Sequence, residues 1–216
     1  MQPAEHHIAL NAHLLTAQAG YRSAGINGYI ANLLRALPDA DPSLRYTVFA
    51  GPQATMASGS RVHVQRSAWN TTHPLARILW EQLAQPLALE RSRPDLAHQL
   101  AFVAPALSRV PFVVTVYDLS FVRYPERLTA ARRWYLRLLT RRSCHRARRV
   151  IAISRSTAAD LITLFGVPAD RIDIAVPGVS EAFRPLPRDE VEAFRAKHGL
   201  PARFFLFLGT LEPRKN

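Results

Sequence analysis

The run Thr115-Val-Tyr-Asp-Leu-Ser120 sets Tyr117 and Asp118 at the end of an apolar, strand-like segment. Polar groups at the C-terminal end of a parallel strand face the ligand crevice of an open α/β sheet, so this pair is placed where substrate chemistry occurs. Asp118 fits equally well as a turn or helix cap. His98 ends the preceding strand-like run in the same layer, where a lone histidine also fits a hydrogen-bonded structural role. Ser154 and Ser156 stand between a further strand and a helix. Either can cap that helix, whose free N–H groups can hold an anion. The first strand runs into a loop holding Gly20, Gly25 and Gly28, and glycines there let backbone N–H groups approach a phosphate. Their spacing is not GxGxxG, so the dinucleotide fingerprint is excluded, and an ordinary loop with glycine turns is as good a reading. Asp39-Ala-Asp41 has the form of a DxD metal motif, but it sits in a Pro-flanked turn after a helix. It reads as a solvated turn, and no metal is expected.

The elements that must position these groups alternate. Strand-like runs fall at 8–15, 46–50, 62–64, 95–100, 112–116, 150–154 and 172–176. Helical patterns fall between them at 28–37, 75–91, 129–146 and 157–165, with Pro86 expected to bend or split the second. Such alternation predicts a parallel α/β sheet of Rossmann-like type with helices on both faces. The continuous apolar runs, such as Pro111-Phe-Val-Val-Thr-Val-Tyr117, suit strands buried on both sides. After Gly178 the character changes. A Pro-rich stretch leads to a helix at 188–198, opened by Asp189 and Glu190 and closed by Gly199. Arg203-Phe-Phe-Leu-Phe-Leu-Gly209 then reads as a new buried strand. A lone strand cannot bury its faces, so the architecture is expected to be unfinished at residue 216.

The chain has 216 residues and a formal net charge of +12. Of its 28 basic residues only Lys197 and Lys215 are lysine, a bias that looks like GC-rich coding as much as selection for guanidinium chemistry. Ten arginines and one acid, Glu126, lie between Arg123 and Arg149, with Trp134, Tyr135, Leu138 and Leu139 interleaved. That is an amphipathic, strongly basic helix. It suits transient peripheral contact with an anionic membrane or an ordinary solvated face. No nucleic-acid-binding module is recognisable, so no nucleic acid is expected as a partner. The single cysteine, Cys144, excludes a disulfide framework within one chain and suits a reducing cytoplasm. Residues 1–7 are polar, so no signal peptide is expected, and no apolar run approaches the length of a membrane span.

Laid end to end, these segments resemble the N-terminal domain of the GT-B retaining glycosyltransferases of family 4. Ser23-Ala-Gly-Ile-Asn-Gly-Tyr-Ile-Ala-Asn-Leu-Leu34 is similar to the family's SGIGRYxxNLL loop and helix. Trp80-Glu-Gln82 before Asp95-Leu-Ala-His98 resembles WEQ…DxxH, and Thr115–Phe121 followed by Pro125-Glu126 resembles TVHDLSFxxxPE. Val150–Ser154, Val176-Pro-Gly-Val179, Phe183-Arg-Pro185 and Phe207-Leu-Gly-Thr-Leu-Glu-Pro-Arg-Lys-Asn216 continue the series. Asn27 stands where the family's second loop glycine usually is, with Gly28 where arginine is common. Tyr117 stands at the histidine of its HD pair, and Thr210 where many relatives have arginine.

The resemblance implies a nucleotide-diphosphate sugar as co-substrate, a saccharide or lipid-linked acceptor, retention of anomeric configuration, and no metal or other cofactor. By position it implies donor binding by Gly25, Gly28, Ser154 and Arg214 or Lys215. It also implies acceptor binding by His98 and Asp118, and catalytic roles for Asp118 and Tyr117. It divides the chain into an acceptor-side domain at 1–185, a linker helix at 186–202, and the first strand and loop of a donor-binding domain at 203–216. Synthesis of envelope or extracellular polysaccharide is the expected role. The location would be cytoplasmic, peripheral on the inner face of the membrane, and the 216 residues alone would be inactive. The competing expectation is a non-catalytic basic module that binds anionic membrane or nucleic acid.

Overall fold

The computed structural model of the chain describes residues 6–15, 25–54, 56–71 and 73–209, with Arg127 described by its backbone alone. Seven parallel strands form one sheet: β1 (His6–Ala12), β2 (Leu44–Ala50), β3 (Val62–Arg66), β4 (Leu96–Gln99), β5 (Phe112–Val116), β6 (Arg149–Ala152) and β7 (Ile172–Ile174). Their order is β3-β2-β1-β4-β5-β6-β7. This is the Rossmann-like α/β sheet that the alternation of elements predicts, with each of the seven strands where an apolar run stands. Successive strands are added outward on one side of β1 (β2, β3) and then on the other (β4 to β7), so the strand order reverses between β1 and β4, which pair directly, Leu10 opposite His98. That topological switch point opens a crevice at the C-terminal ends of these two strands.

Alternating side chains divide the core between the two faces. On one face Leu10, Ala12, Tyr46, Val48 and Ala50 pack against Ile30 and Leu34 of α1 (Gly25–Ala40). On the other, Ala9, Phe49, Val114, Val116 and Val150 pack against the remaining helices. These are α2 (Pro74–Leu79), α3 (Gln85–Ser92), α4 (Ser120–Arg123), α5 (Ala130–Arg146) and α6 (Arg155–Phe165). Between α2 and α3 lies one π-helical turn, Trp80–Ala84, in which the Gln85 amide donates to the Trp80 carbonyl. The turn ends where Pro86, which has no amide hydrogen to give, begins the next helix. The expected break at Pro86 is therefore a rewinding with no change of element. Helix α6 ends at Gly166 in the left-handed region (φ 68°), with the Gly166 and Val167 amides donating to Ile162 and Leu161. That is the Schellman pattern glycine permits.

The chain divides into two compact units, Met1–Pro177 and Gly178–Asn216. In the second, α7 (Arg188–Lys197) forms as expected, with Gly199 in the left-handed region (φ 60°) closing it. The expected buried strand at 203–209 is not seen: these residues form no ladder pairing among the described residues, and Phe205, Leu206 and Leu208 are exposed. A strand is stabilised by neighbours on its edges and a core against its faces, and apolar character supplies neither.

Candidate functional site

The C-terminal ends of β1, β4, β5 and β6, with the N-terminal turn of α1, gather most of the residues named above. Helix α1 begins at Gly25, and Tyr29, one turn in, meets Tyr117 edge to face with ring centroids 5.3 Å apart. A Cβ added to Gly25 or Gly28 meets no atom of the described residues within 4 Å. Glycine inside a helix costs roughly 0.5–1 kcal/mol relative to alanine, and no packing contact among the described residues requires it here. Open space above an N-terminal helical turn, where backbone N–H groups point outward, is room for an anionic ligand.

Tyr117 and Asp118 follow β5 as expected, but they play different parts. Tyr117 is buried, and its hydroxyl donates to the Leu100 carbonyl at 2.8 Å, tying the end of β5 to the end of β4. Burial, and then the neighbouring Tyr29 hydroxyl, push its pKa up. A phenol held this way stays protonated. Asp118 is half-buried, and its Oδ1 accepts the Ser120 amide two residues on at 2.9 Å, which is the turn role.

Ser154 caps α6. Its Oγ accepts the Thr157 amide at 3.0 Å and lies 2.9 Å from Thr157 Oγ1. Thr157 Oγ1 in turn donates to the Tyr117 carbonyl at 2.8 Å. The cap, the end of β5 and Asp118 thus form one connected unit. Arg123 of α4 adds to it by pairing with Asp160 of α6, Nε to Oδ2 at 2.8 Å. His98 lies below this layer, within the sheet. Its Nε2 is 2.8 Å from Thr115 Oγ1, and burial lowers its pKa to about 4, so it is neutral at physiological pH. Arg214 and Lys215 lie outside the described residues. The Asp39/Asp41 turn closes α1 at the opposite end of that helix from the crevice. Asp41 Oδ1 accepts the Ser43 amide at 2.9 Å there, which is a turn role. Among the described residues no three His, Cys, Asp or Glu side chains cluster as metal ligands.

A second polar group was not picked out from sequence. His13, just after β1, stacks on Trp80 with ring centroids 3.7 Å apart, and its Nδ1 is 3.1 Å from Thr71 Oγ1. Burial, and then the Arg77 charge, lower its pKa to about 3. Its Nε2 is buried without a hydrogen-bond partner among the described residues. Beneath it, Gln99 Oε1 accepts from Asn11 Nδ2 at 3.0 Å and from Gln85 Nε2 at 3.2 Å. The Trp80-Glu-Gln82 motif now has a physical reading. Trp80 carries His13. Glu81 sits 3.8 Å from Arg77 with its pKa raised to about 7 by burial. Gln82 Oε1 accepts the Ala106 amide at 3.0 Å, pinning the loop after β4. The one available signal for His13 was its place at the end of the first strand, the same signal that marked His98.

Comparison with known proteins completes the description. The family model described as Glycosyltransferase Family 4 matches residues 23–183. The O-antigen chain mannosyltransferase B of Escherichia coli is 28% identical over 210 residues, covering 91% of this chain and 55% of that protein. The chain is also similar to the crystal structure of WaaG, a glycosyltransferase involved in lipopolysaccharide biosynthesis. The TM-score is 0.58 at 13% identity, over 90% of this chain and 52% of that one. The Anabaena Alr3699/HepE structure in complex with UDP-glucose aligns with a TM-score of 0.53 at 17% identity, over 89% of this chain and 50% of that one. The chain thus spans about half the length of the relatives it matches.

Proposed function

From the premise that the chain belongs to glycosyltransferase family 4, as the N-terminal, Rossmann-like half of a GT-B fold, we propose that it forms the acceptor-side wall of a sugar-transferring cleft. The donor in this reading is a nucleotide-diphosphate sugar, and transfer is metal-independent and retains anomeric configuration. The acceptor is a saccharide or lipid-linked saccharide of envelope or extracellular polysaccharide. A mannosyltransferase of O-antigen chains and a structure holding UDP-glucose among the similar proteins support the chemical class. The observation that carries the reading is the unfilled space over Gly25 and Gly28 at the start of α1, beside the switch point where such sheets bind ligands.

In this reading the α1 backbone amides meet the donor's phosphate or sugar. Asp118 orients the acceptor hydroxyl, while Tyr117, His98 and Ser154 hold Asp118 and the floor of the cleft in place. Arg214 or Lys215 stabilises the departing diphosphate, taking the part a metal plays elsewhere. A donor-binding second domain closes over the reaction and excludes water. The 216 residues by themselves are then inactive, because half a cleft cannot hold donor and acceptor in register. The decisive experiment supplies the second domain and measures release of UDP or GDP from a panel of nucleotide sugars. Release that falls on Asp118→Asn and on Gly25→Val supports the reading, and no release with any donor counts against it.

A second reading concerns location. Trp134 on α5 is 68% exposed among arginines, which favours peripheral contact of the 123–149 segment with the inner face of the cytoplasmic membrane. Vesicle co-sedimentation tests it, with loss of binding expected when Arg132, Arg133, Arg141 and Arg142 are neutralised together.

A further inference from the structure

The turn after β3 holds a tryptophan outward. Trp69 is 43% exposed, between the buried Ser67 and Thr71. Both of its backbone groups are committed inside the turn. Its amide donates to Ser67 Oγ at 3.0 Å, and its carbonyl accepts the Thr71 amide at 2.8 Å. The turn is also fastened to the sheet at two points. The Ser67 amide donates to the Ala50 carbonyl at 2.9 Å, at the end of β2. Thr71 Oγ1 lies 3.1 Å from Nδ1 of His13, which itself rests on Trp80. A Cβ at Gly51 would stand 2.8 Å from that same Thr71 oxygen, so the close approach of the turn to the end of β2 requires glycine there. A side chain on a backbone fixed this firmly has little further order to lose when it meets a ligand.

Charge and place select the ligand. No Asp, Glu, Lys or Arg stands between Arg66 and Arg77, in a chain that carries +12. The groups exposed with Trp69 are neutral: Asn70, and His73, which makes no side-chain cap bond at the start of α2. An aromatic face with amide and imidazole groups around it suits an uncharged ligand that has a C–H face and a rim of hydroxyls. A pyranose ring is such a ligand, whereas a phosphate finds no cation in this turn. The strands are parallel, so the turn stands on the same edge of the sheet as the crevice at β1 and β4. In the strand order β3 is four places from β5, whose end carries Asp118; at strand spacing that is roughly 19 Å. One sugar ring cannot span that distance, and an oligosaccharide can.

We propose that Trp69 is the stacking platform of a remote acceptor subsite, which takes a pyranose ring of an oligosaccharide whose reacting end lies at Asp118. This rests on the acceptor-side reading given above and narrows the acceptor to a saccharide of several rings. The ring lays its C–H face on the indole, and its hydroxyls meet Asn70 and His73. Contact made there, far from the reacting bond, holds the acceptor in register. Trp69 is therefore a specificity-determining residue and not a catalytic one.

Saturation-transfer NMR of the 216-residue chain with mannotriose, maltotriose and chitotriose tests this. At least one trisaccharide should take up saturation on its C–H protons. Trp69→Ala should weaken that binding about tenfold, the scale of one lost ring contact, and Trp69→Phe should recover most of it. Trp134→Phe, which removes the other exposed indole, should change nothing, and thermal melts confirm that each variant is folded. With the second domain supplied, Trp69→Ala should raise KM for the bound trisaccharide about tenfold and leave kcat and the donor KM within about twofold. Absence of saturation on all three sugars, or binding and acceptor KM indifferent to Trp69→Ala, overturns the inference. Binding lost in Trp134→Phe instead also overturns it. UDP or GDP release that persists in those cases leaves the transferase reading standing, whereas no release by the parent with any donor sinks that reading and leaves the saccharide contact to be judged by NMR.

Discussion

Replacing Glu81 by glutamine should make the protein more stable at pH 8 and change it little at pH 5. The Glu81 side chain is 13% exposed, and burial raises its pKa from 4.5 to about 7, with Arg77 pulling the other way. A carboxyl whose pKa is higher in the folded state than in the unfolded chain binds its proton more tightly when folded. Stability is therefore lost as pH rises from about 4.5 through about 7. At about 1.4 kcal/mol per tenfold change in proton affinity, the ionised folded form is disfavoured by roughly 3 kcal/mol, an upper figure because Arg77 gives up a partner in the variant. Three buried histidines slope the opposite way. Burial lowers the pKa of His7 below 6.5, and His13 and His98 are lowered from 6.5 to about 3 and about 4, so protonation of the unfolded chain destabilises the fold below pH 6.5. The pH profile of the parent alone is thus a partial cancellation, and the difference between parent and Glu81→Gln isolates the carboxyl. Urea unfolding at pH 5, 6, 7 and 8 is the assay. The gap between the two proteins should open with pH in favour of the variant. A gap independent of pH, or a variant less stable at pH 8, would refute the view that Glu81 is a desolvated carboxyl and show instead that its pairing with Arg77 dominates.

Three further outcomes follow from the same structure. Gly28→Ala meets no atom within 4 Å and removes a helical glycine, so it should raise stability by about 0.5–1 kcal/mol. Sugar transfer by the full enzyme should nevertheless fall, and unchanged transfer would remove the reason given for the glycine. Ser154→Ala deletes the bond from the Thr157 amide to Ser154 Oγ and should cost about 1 kcal/mol in thermal or urea unfolding; a neutral effect would mean that water replaces the cap fully. His98→Gln keeps a hydrogen-bonding group for Thr115 and removes a histidine whose pKa burial lowers to about 4. The variant should therefore lose about 2 kcal/mol less than the parent between pH 7 and pH 5, measured by the same urea series.

The parts of the fold legible in the sequence are those set by local pattern. Apolar runs of strand length located all seven strands, because a sheet buried on both faces demands uninterrupted apolar residues, and the helical stretches between them located α1, the α2–α3 run, α5 and α6 but not the short α4. The stop signal at Gly199 held because glycine takes the left-handed conformation that other residues avoid; Gly166, not picked out from sequence, ends α6 in the same way. Residue type and strand-end position also brought Tyr117, Asp118 and Ser154 to one place.

Partnership was not legible, since it depends on what lies opposite a side chain in space. Sequence position alone could not show that the Tyr117 hydroxyl turns inward to Leu100, or that His13 packs on Trp80, far along the chain, because both contacts are made through tertiary packing. The run at 203–209 is the converse case: it has every local mark of a strand, yet ladder bonds need a neighbouring backbone and it has none. The leucines at 75, 79, 83 and 87 look like core at helical spacing, and only the tertiary arrangement turns them outward, because the π turn and the buried Trp80 and Leu89 fix which side of that helix meets the sheet. Pattern alone determined which segments are strands and helices; the sheet, by choosing neighbours and faces, decided which of their side chains hold the fold and which are left exposed.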